Sequence, residues 1–162
     1  MKKILLVLLT VTFGLLSGCS EKEDEPDIPK EPETSLYDKD KEAVAYIDNE
    51  DADKTIYTWD GIPVAYFTSE KDVYRFDGSF LGWYVDGILY DIDGYAVAAI
   101  EGVVNGEIIM TALRIESVKG IKYIKPVKHV RSVKPADPVF RNNWSETILT
   151  DYLLPSDPLS HL

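Results

Sequence analysis

A thirteen-residue pattern occurs four times in this chain, and its copies begin at Ser35, Thr55, Asp72 and Ile88. Every copy has Tyr at its third position and Asp at its sixth, and three of the four place Gly directly after that Asp. A unit this short cannot bury an apolar face by itself. The repeat therefore predicts one small supersecondary unit that is used four times and stabilised by its neighbours.

Each copy is predicted to be a β-hairpin. In the second copy, Asp60-Gly61 separates two runs of β-forming residues, which is a strong signal for a two-residue type I′ turn. Around that turn, Tyr57 would face Val64. The second run of every copy has a small residue at its centre, which predicts that the strands crowd together near an axis. These small residues are Ala45, Ala65, Gly82 and Ala98.

The links between the copies are short, so neighbouring hairpins must pack side by side. We therefore predict an all-β fold in which residues 36–101 form four sequential β-hairpins in a closed, roughly fourfold-symmetric, propeller-like disc. Residues 102–162 are predicted to be a C-terminal extension packed on this disc. It would contain a hairpin around Asn105-Gly106, an extended strap, and a short helix from Ser145 to Leu154 with Ser145 as its N-cap.

Residues 1–18 resemble the signal peptide of a bacterial lipoprotein. Lys2 and Lys3 precede an apolar stretch that is too short for a comfortable membrane span, and Leu16-Ser17-Gly18-Cys19 resembles a lipobox. The resemblance implies cleavage before Cys19 and lipidation of that residue, which would anchor the chain in the outer membrane. The alternative is an ordinary secretory signal that happens to contain the single Cys of the chain.

Residues 19–35 are predicted to be a disordered acidic tether, because Ile28 is their only sizeable apolar residue before the repeat. The acidic run resembles the export signal of surface-exposed lipoproteins, and the alternative is a solvated spacer with no role in sorting. The whole chain has 17 basic and 28 acidic residues and a net charge of −11. This charge argues against nucleic acid as a partner.

Residues 118–135, the triplet segment, consist of six triplets of an aliphatic residue, a basic residue and a third residue. A period of three is that of polyproline II and predicts an extended strap. In one interpretation the aliphatic edge lies on the disc, and the lysines are solvated or offset its acidic charge. In the other, the basic row binds a polyanion such as an acidic glycan. The candidate ligand-binding residues are then Lys122, Lys125, Lys128 and Arg131.

Residues that could carry chemistry are few. Neither His129 nor His161 has metal-ligand spacing to another His or Cys, so we assign no metal, no cofactor and no catalytic residue. The acids of the Asp-Gly turns are an alternative Ca²⁺ set, although the turns already explain them. Tyr95 is the best candidate for an exposed aromatic ligand-binding residue, whereas Trp59 and Trp83 occupy equivalent core positions.

We therefore expect a non-enzymatic binding or structural module of the cell envelope. It would contact the membrane through the lipid on Cys19, with an envelope protein or a glycan as its partner. One alternative is a hydrolase acting on glycans or peptides, which would need convergent carboxylates with shifted pKa values. The other alternative is a polyanion binder that uses the triplet segment.

The stretches TIYTWDGIPVAYF and VYRFDGSFLGWYVDGILYDIDGYAV resemble the 4-fold beta flower family, a small domain found in lipoproteins of the Bacteroidetes. The resemblance covers about residues 36–101 and is weakest in the first copy, where Lys41 replaces the turn glycine. It implies the closed four-hairpin architecture. It implies no activity and no catalytic residues.

Overall fold

The computed structural model describes residues 31–69 and 71–154. Within them, eight antiparallel strands follow one another in chain order around a closed barrel. Every strand pairs with the next, and Tyr37 of the first strand pairs with Ala99 of the last to close the ring. Each repeat supplies two neighbouring strands, so the predicted all-β ring of four hairpins is confirmed. The strands are β1 (Glu33–Tyr37), β2 (Ala43–Asp48), β3 (Ile56–Thr58), β4 (Pro63–Phe67), β5 (Asp72–Arg75), β6 (Phe80–Val85), β7 (Ile88–Tyr90) and β8 (Ala96–Ala99).

The inner face of the barrel is built from the same pair in every hairpin. An aliphatic residue of the first strand lies opposite a small residue of the second, and a register shift follows directly before the repeated Tyr. The small partners are all buried, and at Gly82 a Cβ would overlap the Tyr90 carbonyl oxygen, so neighbouring strands lie close together there. The pairs are Leu36 with Ala45, Ile56 with Ala65, Val73 with Gly82, and Leu89 with Ala98.

The Asp-Gly turns within the second, third and fourth copies are not of the predicted type. The Gly61 N–H donates to the Thr58 carbonyl, and the Thr58 N–H donates to the Ile62 carbonyl, so the loop has three residues. It is a type I turn followed by a glycine bulge at Gly61, whose φ is +86°. As a result Tyr57 pairs with Pro63 and does not face Val64. The bulge restricts positive φ to glycine, whereas a type I′ turn would also impose it on the Asp.

β1 begins at Glu33, so the last three residues of the predicted tether belong to the barrel. Glu33 pairs with Asp48 and Ser35 pairs with Tyr46, which extends the ladder beyond the apolar Leu36. Ladder hydrogen bonds use only the backbone, so the polar side chains of residues 33–35 did not reveal the strand. Residues 19–30 of the predicted tether lie outside the described residues.

The C-terminal elements form as predicted in kind but not in length. β9 (Val104–Asn105) and β10 (Ile108–Ile109) make the predicted hairpin, but Asn105 pairs with Ile108, so the turn consists of Gly106 and Glu107. The helix α1 spans only Leu149–Leu153. Ser145 is not the N-cap, because its N–H donates to the Ala96 carbonyl and residues 143–145 run along β8. Leu149 and Leu153 are buried with the inner residues of the barrel, so α1 completes the core.

The chain from Arg114 to Arg141, called the strap below, contains neither helix nor strand and passes all four hairpin turns. At every turn, a strap N–H donates to the carbonyl of the turn residue that has positive φ. The four donors are nine residues apart, so nine residues of the strap span one quarter of the ring. The bonds join Arg114 to Lys41, Tyr123 to Gly61, Ser132 to Gly78, and Arg141 to Gly94.

Candidate functional site

The strap lies on a ring of aromatic side chains that the repeat directs outward. The Lys119 ammonium lies 4.6 Å from the centroid of the Tyr46 ring and 4.8 Å from that of Trp59. Nine residues later, Lys128 lies 4.4 Å from the Tyr66 centroid. Cations are attracted to the negative faces of aromatic rings, and their aliphatic stems cover the ring surface. The basic row of the triplet segment is therefore directed inward, onto the barrel.

The same cations pair with carboxylates at the barrel edge. Lys122 Nζ lies 2.8 Å from carboxylate oxygens of both Glu33 and Asp48, and Lys125 Nζ lies 2.8 Å from Asp51. Burial opposes the charge on Lys122, but its hydrogen bonds to Asp48 and Glu33 raise its pKa. Most of the positive charge in the candidate polyanion site is thus balanced within the protein.

The Asp51 carboxyl shows how strongly this edge of the barrel holds the strap. Burial tends to raise the pKa of Asp51. Hydrogen bonds donated by Lys125 and by the Thr55 hydroxyl outweigh that effect and lower the pKa to about 2. Asp51 therefore keeps its charge under all ordinary conditions and holds Lys125 in place.

The predicted orientation of the aliphatic edge was wrong. Ile124 and Val130 are both 95% exposed, and Val118 is 96% exposed. The outer face of the barrel consists of aromatic rings bordered by carboxylates, and such a surface is complementary to ammonium and guanidinium groups. With the cations inward, the period of three turns the aliphatic side chains to solvent.

The exposed aliphatic residues form a regular row along the strap, called the aliphatic ridge below. Eight β-branched side chains make up this ridge, and each is at least 80% exposed. Monomeric soluble proteins seldom expose apolar groups on this scale, and those that do use them as interaction sites. The ridge consists of Ile115, Val118, Ile121, Ile124, Val127, Val130, Val133 and Val139.

The third residue of each triplet sets the register of the strap. Gly120 and Tyr123 donate their N–H groups to Trp59 and Gly61, and His129 and Ser132 do the same at the next turn. Pro126 and Pro135 lie between the hairpin turns. Proline has no backbone N–H, and at these positions none is needed for a hydrogen bond to a turn. The underlying repeat is therefore nine residues long. Sequence reasoning found only the period of three, although the nine-residue spacing of the two prolines was visible.

One quarter of the ring has an open cleft beneath the strap. It lies beside the second hairpin, between the link that precedes this hairpin and the link that follows it, and has a volume of about 550 Å³. Its wall includes Lys54, Thr68, Ser69, His129 and Arg131. The Arg131 guanidinium carbon lies 5.6 Å from the centroid of the Tyr74 ring. Of the candidate polyanion-binding residues, Lys128 and Arg131 reach this cleft, whereas Lys122 and Lys125 lie in the preceding quarter.

The remaining sequence-predicted residues lie apart from the cleft. Tyr95 is half-buried, and the Arg141 guanidinium covers its ring at 4.7 Å, so its position gives little support to the predicted role as an exposed ligand-binding residue. Trp59 and Trp83 are buried, as expected, and each indole N–H donates to the strap. Cys19 and His161 lie outside the described residues.

Two further properties of the described residues bear on other kinds of function. Residues 31–69 and 71–154 contain no group of three His, Cys, Asp or Glu side chains arranged to hold a metal ion. The turn acids Asp60, Asp77 and Asp93 lie in separate turns and are exposed. Among the same residues, no helix is long and apolar enough to span a membrane.

Of the comparisons with known proteins, a family model agrees with this geometry. No curated protein and no solved structure matches the chain. The family model described as 4-fold beta flower protein matches residues 34–153. That range runs from β1 to the end of α1, so it includes the barrel, the strap and the helix. The chain therefore belongs to the 4-fold beta flower protein family.

Proposed function

We propose that this protein is a non-enzymatic binding module of the bacterial cell envelope, anchored in the outer membrane by a lipid on Cys19 and exposed at the cell surface. The observation that carries the binding role is the aliphatic ridge. The lipobox-like Leu16-Ser17-Gly18-Cys19 and the acidic run that follows it support the location.

The ridge is suited to a protein partner with an apolar concave surface. Burying one Val or Ile side chain contributes about 1.5–3 kcal/mol, so all eight would contribute roughly 12–24 kcal/mol before the costs of association. Those costs are about 4–15 kcal/mol, which leaves enough for a specific complex. A flat lipid surface is a poorer fit, because the strap curves around the barrel and the chain carries a net charge of −11.

The perturbed carboxyl groups favour a binding module over a hydrolase. Glu33, Asp51, Asp77, Glu116 and Asp137 all have lowered pKa values. A glycosidase needs one carboxyl with a raised pKa to act as its acid. In these five carboxyl groups the pKa shift instead favours the charged form. For Glu33, Asp51, Glu116 and Asp137 this charged form joins the strap to the barrel, and for Asp77 it accepts hydrogen bonds from Ser79 within its own turn.

The partner is tested with a matched pair of variants. Ile121, Ile124 and Val127 are replaced together by Ser to remove the centre of the ridge, and Asp40, Glu107 and Glu146 are replaced by Ser as an exposed control. An envelope protein captured by the wild type is purified and titrated against all three proteins. The proposal expects at least a tenfold loss of affinity for the ridge variant and none for the control. Equal affinities, or no partner for the wild type, would contradict it.

The location is tested separately. In a producing cell, the wild type should sediment with outer membranes and incorporate labelled palmitate. Cys19→Ala should abolish both properties without changing the fold, since Cys19 precedes the family domain at residues 34–153. Unchanged sedimentation and labelling of the Cys19→Ala protein would rule out this anchor.

A further inference from the structure

The four quarters of the ring are built alike, so a departure in one quarter is informative. Lys122 in one quarter corresponds to Arg131 in the next, nine residues along the strap. Both lie over a repeated Tyr: Lys122 is 5.5 Å from the Tyr57 centroid, and Arg131 is 5.6 Å from the Tyr74 centroid. The two cations therefore occupy equivalent places on the barrel.

Their carboxylate partners are not equivalent. Lys122 is paired with Glu33 and Asp48, which face each other across β1 and β2. The second copy of the repeat follows the first by 20 residues, so Asp53 and Thr68 occupy the positions that correspond to Glu33 and Asp48. Asp53 is engaged by Lys128 at 2.6 Å, and Thr68 has no charge. Among the described residues, Arg131 forms no ion pair.

The cleft lies where the repeat lacks this carboxylate. Its wall includes Thr68 and Arg131 together with Ser69, Lys54 and His129, and its volume is about 550 Å³. A volume of this size is typical of small-molecule sites. The cleft thus offers a guanidinium for a carboxylate, with hydroxyl, ammonium and imidazole groups around it. The Asp53 carboxylate also lies in its wall, where it is paired with Lys128.

We propose that this cleft binds an acidic sugar, with Arg131 pairing with the ligand carboxylate in the place that Asp48 takes beside Lys122. A guanidinium binds a carboxylate through paired charge-assisted hydrogen bonds. The Ser69 and Thr68 hydroxyls and the Lys54 ammonium supply donors and acceptors for ring hydroxyls. This inference is independent of the ridge, which lies on the opposite side of the strap backbone.

The repeat itself supplies the decisive variant. Thr68→Asp restores the carboxylate of the preceding quarter, so it should satisfy Arg131 internally and exclude the ligand while keeping or raising thermal stability. Arg131→Gln should also abolish binding, because it removes the charge. Lys122→Gln changes the equivalent cation in the filled quarter and should leave binding intact.

The purified full chain is titrated with glucuronate by NMR or calorimetry, with glucose and N-acetylglutamate as comparison ligands. The proposal expects millimolar binding of glucuronate that weakens at least tenfold in Thr68→Asp and in Arg131→Gln and is unchanged in Lys122→Gln. Glucose should bind at least tenfold more weakly. The proposal is overturned if glucuronate does not bind, if Thr68→Asp binds it as well as the wild type, or if N-acetylglutamate binds more tightly.

Discussion

Three turn glycines, Gly61, Gly78 and Gly94, connect the residues of the repeat to those of the strap. Each has a positive φ, and a Cβ placed on any of them would overlap a strap carbonyl oxygen. Those carbonyls belong to Ile121, Val130 and Val139, again nine residues apart. The glycines therefore serve the turn and also make room for the strap, and only the first of these roles was predictable from the Asp-Gly dipeptides.

This double role can be measured with two alanine variants. Gly102 also has a positive φ, but no atom lies within 4 Å of the position that a Cβ would take there, so Gly102→Ala should cost only the backbone strain, about 1 kcal/mol. Gly61→Ala adds the collision with the strap and should cost at least ~2 kcal/mol more in urea unfolding. Equal costs would show that the strap does not lie against this turn.

Substitutions on the inner side of the strap should lower the stability of the protein, whereas substitutions on its outer side should have little effect. Lys122→Met keeps the length of the side chain but leaves Asp48 without its cation and Glu33 with Lys119 alone, and should cost about 1–2 kcal/mol of stability. Ile124→Ser changes a residue that is 95% exposed and should alter stability by less than ~0.5 kcal/mol. Thermal unfolding of both variants checks this. A larger loss for Ile124→Ser would reverse the assigned orientation.

At the level of elements, α1 completes the core of the barrel. Leu149 and Leu153 are each 1% exposed and lie in the inner cluster, and the Tyr152 hydroxyl donates to the Leu81 carbonyl. Leu153→Ala should therefore cost about 2–5 kcal/mol. Ile148→Ala, just before the helix and 54% exposed, is the control and should be nearly neutral. Similar unfolding midpoints for the two variants would show that the helix is not part of the core.

The strap should loosen in acid. The pKa of Asp51 is lowered from 3.8 to about 2 in the folded protein, so its contribution is complete above about pH 4 and is lost as the pH falls toward 2. At pH 6, Asp51→Asn should be less stable than the wild type by about 1 kcal/mol, allowing for solvent screening. The difference should shrink steadily below about pH 4 and disappear only below the folded pKa of about 2. A constant difference across this range of pH would argue against the Asp51–Lys125 pair.

The sequence predicted which elements form better than it predicted their turns, their bounds and their contacts. The repeat, the short links and the small central residues were sufficient for four hairpins in a ring. The three-residue turns and the start of β1 at Glu33 depend on backbone hydrogen bonds, which side-chain patterns describe poorly. The length of α1 was overestimated because a tertiary contact of Ser145 with Ala96 replaces the first turn.

In the whole molecule, the repeat and the strap have different roles. The barrel uses its inner face for the core and its outer aromatic face to hold the strap, so little of the repeat itself is left to meet a partner. The strap adds the outward surface, the aliphatic ridge. The orientation of the strap was not predictable from the period of three alone, because that period allows either the aliphatic or the basic residues to face the barrel. The aromatic and acidic character of the barrel edge decides the choice.

The outward orientation of the aliphatic ridge is the central structural claim, and cysteine accessibility tests it most directly. Single Cys substitutions at Ile124 and Val130, in a chain carrying Cys19→Ser, are compared with a buried control, Ile108→Cys, which replaces a residue that is 0% exposed. In native buffer, maleimide should label the two ridge positions as fast as it labels the urea-unfolded chain and should leave position 108 unlabelled. Protection of positions 124 and 130 to the level of position 108 would contradict the claim, because the aliphatic edge would then lie on the barrel.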